Sequence, residues 1–390
     1  MTTIFHCEVA VMYDTHGMTP FNRSRFDDLW QALKGRLDEI RATGGLSAVV
    51  EALKIQQFDR GFIQDDLLDV IKYRIIRDTG ECRSSFLVQY NLKRSQRQGG
   101  AGRKVPPPGT ASVNGGCFLC LDNIYWQQRG IEIGYDIYPK VVGSDKKRHY
   151  IMWMNPFPLM PNHVTVATAK HIPQSWLKMA ENDDPMQSGM EGIVQDFLYL
   201  VDSLPGYVGF YNGEGAGATI PHHFHFQFFK RPEGQGLFPL EAAAVATVKA
   251  TSGHTNKPRL VANYPITAIY FHGTSAEIVS QVVKVTALWE QLYVDKLSLS
   301  ANMIGAPDAK KSGQYHLYFI PRNKTFSRGP GMVGIIAGLE LLGEIVFATE
   351  EEKRYLDQGR VDYHYVERII ASVEAPRASE LWQRVQDVFP

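Results

Sequence analysis

Residues 211–230 read YNGEGAGATIPHHFHFQFFK. From His223 to Phe229 the stretch alternates, with Phe224, Phe226 and Phe228 interleaved between His223, His225 and Gln227. Successive side chains of a β-strand point to opposite faces. A strand here therefore offers three phenyl rings to a core and lines up two imidazoles and an amide on the other side. Burying such groups without partners costs free energy, so the polar face is expected to carry chemistry. Just upstream, Gly213, Gly215 and Gly217 let backbone approach a ligand closely, and Asn212 and Thr219 add short polar side chains. Backbone N–H groups of a glycine-rich turn form a concave anion site. An imidazole on a rigid strand beside a phosphate held there is placed to attack phosphorus. A glycine-rich hairpin beside satisfied histidines is the plainer reading of the same residues.

Working outward, His149–Met154, His163–Thr168 and Tyr207–Tyr211 read as further strands, with a helix at Met190–Ser203 between them. Ser85–Asn91 is also strand-like. Residues 24–42 have apolar side chains at helical spacing (Phe26, Leu29, Trp30, Leu33, Leu37, Ile40) behind a capping Ser24, and a second helical run is expected over 64–77. Ser95–Gly116 is rich in glycine, proline and basic residues and reads as a long loop or lid. The polar stretch Lys249–Lys257 marks a boundary. Beyond it lie strands near 259–271, 299–304 and 315–321, a long helix at 275–294, and helices toward the C-terminus. The expected class is α+β, with two halves that each pack helices on an antiparallel sheet, plus an N-terminal helical segment. The corresponding divisions are 1–84, 85–248 and 258–390.

The 390 residues carry 41 Lys+Arg against 41 Asp+Glu, a formal charge of zero, which argues against nucleic acid as a partner. A hydrophobic fraction of 44% and a charged fraction of 21% are those of an ordinary globular protein. The opening MTTIFHCEVAVMYDTHG lacks the pattern of a signal peptide. The apolar run Gly331–Ala348 contains Glu340 and Glu344, which suit a packed core rather than a membrane. The four cysteines are Cys7, Cys82, Cys117 and Cys120, and only the last two are close together, as in a reducing cytoplasm rather than a disulfide scaffold.

The run N-G-x-x-x-G-A-T-x-P-x-H-x-H-x-Q resembles the active-site strand of the histidine-triad superfamily. More narrowly, it resembles the transferase branch that contains galactose-1-phosphate uridylyltransferase, diadenosine tetraphosphate phosphorylase and GDP-hexose phosphorylases. Two other segments match in the same order, CFLCLDN at Cys117–Asn123 and MNPFPLMPNHVTVATAKHIPQ at Met154–Gln174, while VQYNLKR at Val88–Arg94 and FIPR at Phe319–Arg322 resemble elements of an uncharacterised subgroup of this branch. The resemblance implies two histidine-triad-like halves and a nucleotidyltransferase or phosphorylase. His225 matches the nucleophile that takes a nucleoside monophosphate as a phosphoramidate. Gln227 matches the residue that steadies the transferred phosphate, where hydrolytic relatives carry a third histidine. An amide has no titratable proton near neutral pH, which tilts the reading toward transfer. Asn155 and Phe157 match the loop holding ribose and base, while Asn212, Gly213, Gly217 and Thr219 match the phosphate-side turn. Arg94 and Arg322 are candidates for a substrate phosphate, or else solvated or salt-bridged arginines.

The resemblance also implies a structural Zn²⁺ held by Cys117, Cys120, His171 and His223, a soft donor set with no open position. Two buried free cysteines are the alternative. The implied partners are a nucleotide-sugar or dinucleoside polyphosphate together with phosphate or a sugar phosphate, and a homodimer is expected from the branch. Departures are Thr219, where the family usually has serine, and Phe224 between the two histidines. Alternation sends His222 to the opposite face, and His163 reads as structural. Two competing functions stay open: a hydrolase of nucleotide adducts, and a nucleotide-binding protein without catalysis.

Overall fold

The computed structural model describes residues 23–59, 61–63, 67–78, 83–94, 113–120, 123, 134–140, 145–177, 189–250, 256–325 and 335–390. Residues 95–112 of the loop expected over Ser95–Gly116, together with Cys7, Cys82 and most of the 249–257 boundary, lie outside them. The strands are β1 (Ile71–Asp78), β2 (Arg83–Tyr90), β3 (Tyr135–Ile137), β4 (Tyr150–Met154), β5 (Val164–Thr168), β6 (Tyr207–Asn212), β7 (His225–Lys230), β8 (Arg259–Leu260), β9 (Ile269–Gly273), β10 (Leu299–Pro307), β11 (Tyr315–Asn323) and β12 (Glu344–Phe347). The helices are α1 (Arg23–Asp59), α2 (Gly189–Ser203), α3 (Pro239–Ala250), α4 (Ser275–Gln291), α5 (Gly338–Leu342), α6 (Glu350–Asp357), α7 (Tyr363–Ala371) and α8 (Ala378–Val388).

Nine strands form one antiparallel sheet in the order β3-β4-β5-β7-β6-β10-β11-β9-β8. The strands on either side of the 249–257 boundary thus join edge to edge through β6 and β10, where Asn212 faces Asn302 and Phe210 faces Ile304. A small sheet, β1-β2-β12, sits apart, with β12 parallel to β2. The class is α+β as expected, and each group of strands is antiparallel, but the two groups share one continuous sheet.

Alternation along β7 is as read. Phe224, Phe226 and Phe228 are fully buried in a core that includes Val164, Val166, Phe197 and Tyr211. That core extends to Leu46, Val49, Val50 and Leu53 of α1, so the N-terminal helix packs on the same sheet. Helix α1 runs past the expected end at 42 and bends at Gly45, whose φ of 69° interrupts the helical backbone. The opposite sheet face meets a second core, built from Phe210, Phe229, Ile304 and Ile320 with α5, β12 and α7.

Two expectations need correcting. Over Ile71–Arg77, the helix expected at about 64–77 is instead β1, paired along its length with β2. Ile71, Tyr73, Ile75 and Ile76 are β-branched or aromatic residues, whose fit to a pleated surface outweighs their helical spacing. The strand expected from His223 begins at His225, because His223 is drawn out of line toward the two cysteines. Glu340 and Glu344 lie buried in α5 and β12. No helix among the described residues is long and apolar enough to cross a membrane.

Candidate active site

His225 and Gln227 occupy the sheet face opposite the three phenylalanines, and both are buried. The apolar cover on this face comes in two pieces. Ile151, Trp153 and Ala167 pack with Cys117 and Cys120 on one side, and Phe210 and Phe229 belong to the second core on the other. Ala167 is the strand partner of His225, and Phe210 that of Gln227, so the two polar residues stand at the seam.

The His225 ring is oriented by its own chain. Nδ1 lies 2.8 Å from the carbonyl oxygen of His223. A carbonyl only accepts, so Nδ1 carries the hydrogen and the neutral ring bears its lone pair on Nε2. The backbone is held as firmly. Gln174 Oε1 accepts from His225 N–H at 2.7 Å, and its Nε2 donates to the carbonyls of His225 (2.8 Å) and Asn212 (2.9 Å). One side-chain amide therefore bridges β6 and β7 where their ladder ends.

His163 does more than fill space. Leu159 N–H donates to His163 Nδ1 at 3.2 Å, which leaves the ring hydrogen on Nε2, 3.0 Å from Gln227 Oε1. With its oxygen committed to His163, what Gln227 offers a ligand is its NH₂, a donor suited to a phosphate oxygen. The same imidazole thus joins the 155–162 loop to Gln227 on β7. Within that loop Asn155 Oδ1 accepts from Phe157 N–H at 3.0 Å, and Arg94 Nη1 donates to the Phe157 carbonyl. Asn155 is buried and Phe157 half-buried.

The glycine turn is built differently from the expectation. A Cβ at Gly213 would stand 2.3 Å from Ser300 Oγ, and one at Gly217 would stand 2.5 Å from Ala337 Cβ, with φ at 98°. The close approach is to β10 and to the residue before α5, so these glycines let the turn dock on the second half of the chain. Asn212 Oδ1 accepts from Asn302 Nδ2 at 2.8 Å and from Gly338 N–H at 2.9 Å. Asn302 Oδ1 in turn accepts from Arg322 Nη1 at 2.8 Å. Arg322 is fully buried and also donates to the Ile336 carbonyl, so it reaches the turn through Asn302 and Asn212. Burial pulls its guanidinium below the usual value, and the Glu340 carboxylate opposes that shift. Thr219 is exposed at the end of the turn.

Behind β7, the ligand atoms of Cys117, Cys120, His171 and His223 all lie within 4.8 Å of one another, a cluster that could hold a metal ion. Cys117 Sγ is 3.4 Å from His223 Nδ1, and Cys120 Sγ is 3.1 Å from His171 Nδ1. His223 Nε2 donates to the Thr168 carbonyl at 2.7 Å, leaving the Nδ1 lone pair toward the sulfurs. An outer hydrogen bond that fixes the tautomer in this way is the usual support of a metal-bound histidine. A hydrogen bond from Cys117, aided by His223, holds the Cys120 thiol well below its ordinary value, while the same pairing and burial push Cys117 up. His222 is exposed, its ring 5.4 Å from that of His171, outside the cluster.

His163, Gln174 and Asn302 were not singled out as site residues from sequence. The first two lie in the quoted 154–174 segment as polar residues flanking an apolar strand, which is a usable signal. Asn302 is 90 residues from Asn212 and has none.

The site thus combines a buried histidine of fixed tautomer, an amide donor beside it and a Cys₂His₂ cluster that adjoins β7 through His223. The chain is similar to yeast Ap4A phosphorylase Apa2 in complex with AMP, with a TM-score of 0.53, 13% identity, and coverage of 84% of this chain and 95% of that one. It is likewise similar to the same yeast enzyme in complex with Ap4A, with a TM-score of 0.50, 13% identity, and coverage of 84% and 97%. At that identity the likeness shows the fold alone. A family model described as a domain of unknown function (DUF4922) matches residues 66–230. No curated protein matches the chain.

Proposed function

We propose that the protein is a nucleotidyltransferase or phosphorylase that passes a nucleoside monophosphate through His225. The observation that carries this reading is the hydrogen bond from His225 Nδ1–H to the His223 carbonyl, which keeps Nε2 as the nucleophilic nitrogen. In the first step Nε2 attacks the α-phosphorus of a nucleotide-sugar or dinucleoside polyphosphate. The N–P bond forms as the bond to the bridging oxygen breaks, and the distal phosphate-bearing group leaves with the electron pair. In the second step an oxygen of phosphate, or of a sugar phosphate, attacks the same phosphorus and returns the imidazole. Gln227, aimed by His163, donates to a non-bridging oxygen in both steps. Asn155 and Phe157 hold the nucleoside, and Thr219 faces the phosphates from the end of a turn that Asn212, Gly213 and Gly217 dock on the second half of the chain. Arg94 steadies the nucleoside loop through the Phe157 carbonyl, and Arg322 steadies the turn through Asn302.

The metal is Zn²⁺ in this reading, because two thiols and two imidazoles form a soft tetrahedral set. When bound it supplies structure: it pins His223, whose carbonyl sets the tautomer of His225. The zero net charge fits a small anionic substrate recognised by local groups, in a cytoplasmic setting.

The test is turnover of a panel of nucleotide-sugars and dinucleoside polyphosphates with and without inorganic phosphate. The reading predicts phosphate-dependent turnover with a nucleoside diphosphate product and ping-pong kinetics. Phosphate-independent release of nucleoside monophosphate would instead establish hydrolysis, and binding without turnover would establish a silent relative.

A further inference from the structure

We propose a second, separate metal site at the other end of the large sheet, formed by His272, Asp308 and His316 and suited to a borderline first-row dication such as Zn²⁺ or Co²⁺. His272 on β9 and His316 on β11 are direct strand partners, so the register alone puts the two imidazoles on one face. Asp308 follows β10 in the hairpin that leads to β11. Its Oδ2 lies 2.8 Å from His272 Nε2 and 3.8 Å from His316 Nε2, and the three ligand atoms all lie within 4.8 Å of one another. Donors of a tetrahedral zinc ion with bonds of about 2.0–2.1 Å stand roughly 3.4 Å apart, so small side-chain adjustments complete the geometry.

The surroundings hold each donor in place. Asp308 Oδ1 accepts from the N–H groups of Lys310 (2.8 Å) and Lys311 (3.2 Å), which turns Oδ2 toward the histidines. Asp308 N–H donates to the Gln314 carbonyl at 2.9 Å and closes the hairpin beneath it. His316 Nδ1 is 2.8 Å from Tyr270 Oη. In the tautomer that donates to that oxygen, Nε2 presents its lone pair to the carboxylate, the arrangement in which an outer hydrogen bond tunes a metal-bound imidazole. A His272–Asp308 ion pair alone would account for one histidine. The second histidine, whose ring is stacked 4.9 Å from the first, brings its Nε2 to 3.8 Å from the same oxygen, within ion-pair range and beyond hydrogen-bond distance, so both imidazoles converge on one carboxylate oxygen. All three residues are partly exposed, so an ion has a way in and water a place on the open side. Two imidazoles and a carboxylate select transition dications over Mg²⁺ or Ca²⁺. The ion would clip β9 to the β10–β11 hairpin.

The experiment is a Co²⁺ titration of the metal-stripped full chain, followed by its absorption. Wild type should take up one equivalent with visible ligand-field bands and no near-ultraviolet thiolate band, which separates it from any ion on Cys117 and Cys120. His316→Ala and Asp308→Asn should each lose that equivalent and leave any thiolate-banded equivalent in place. Tyr270→Phe should bind it about tenfold more weakly. Asp308→Asn preserves shape and the acceptor for Lys310, so it carries the comparison if His316→Ala folds poorly by circular dichroism. Equal Co²⁺ uptake by wild type and a folded variant would overturn the site, as would loss confined to the thiolate-banded equivalent.

Discussion

Replacing His163 by leucine tests whether Gln227 acts through a fixed orientation. The substitution keeps bulk in a buried position but removes two hydrogen bonds, one accepted from Leu159 N–H and one given to Gln227 Oε1. Each buried group left without a partner costs about 1–3 kcal/mol, so a stability loss of roughly 2–4 kcal/mol is expected. The effect on rate follows from the amide. Removing a donor from a developing oxyanion costs about 10²–10³ in rate, and Gln227→Ala should fall in that range. Losing only its orientation should cost about 10–10², or roughly 1.4–2.8 kcal/mol of barrier. The decisive assay is a double-mutant cycle on single-turnover rates, measured below the melting range of every variant. If His163 works through Gln227, the double variant His163→Leu/Gln227→Ala is no slower than Gln227→Ala alone, and the coupling equals the whole effect of His163→Leu. Multiplicative losses in the double variant would refute the reasoning.

Gly217→Ala places a methyl 2.5 Å from Ala337 Cβ on a backbone with φ of 98°, so chemical denaturation should show a loss of about 2–4 kcal/mol. Glu344→Gln tests a buried carboxyl. Burial pushes Glu344 up from its ordinary value, with Lys72 opposing the shift, so the folded chain holds that proton to higher pH than the unfolded chain does. Stability is therefore lost as pH rises from the unfolded value through the folded one. Urea melts should find Glu344→Gln more stable than wild type at pH 8 and the gap closing toward pH 4. Metal removal with a chelator, or Cys120→Ser, should lower stability by about 2.7 kcal/mol or more if the ion is supplied a hundredfold above its dissociation constant. It should also slow turnover by loosening His223. An unchanged melting midpoint would separate the four residues from any metal.

What sequence alone reveals here follows the range of the interactions. The alternation Phe224–Phe226–Phe228 against His225 and Gln227 is local and legible, and the grouping of Cys117 and Cys120 with His171 and His223 follows from the family resemblance. Strand β1 reads as a helix because Ile71, Ile75 and Ile76 fit either period in a short run, and only pairing with β2 decides between them. The glycines of the 213–217 turn were legible as close-approach residues, but not the surface they approach. That surface is Ser300 and Ala337, brought in by the β6–β10 junction, which no local pattern announces. The same junction turns Arg322 from a candidate phosphate ligand into a buried support of Asn302. His163 looked structural because its two partners, Leu159 and Gln227, lie on different elements.

The central claim is a covalent nucleotide on His225. Brief incubation of the full chain with α-labelled substrate, rapid denaturation at alkaline pH and peptide mapping test it most directly. The account predicts an acid-labile, base-stable label on the peptide carrying His225, absent from His225→Ala and discharged by phosphate before quenching. Equal labelling of wild type and His225→Ala, or turnover without any trapped label under single-turnover conditions, would contradict it.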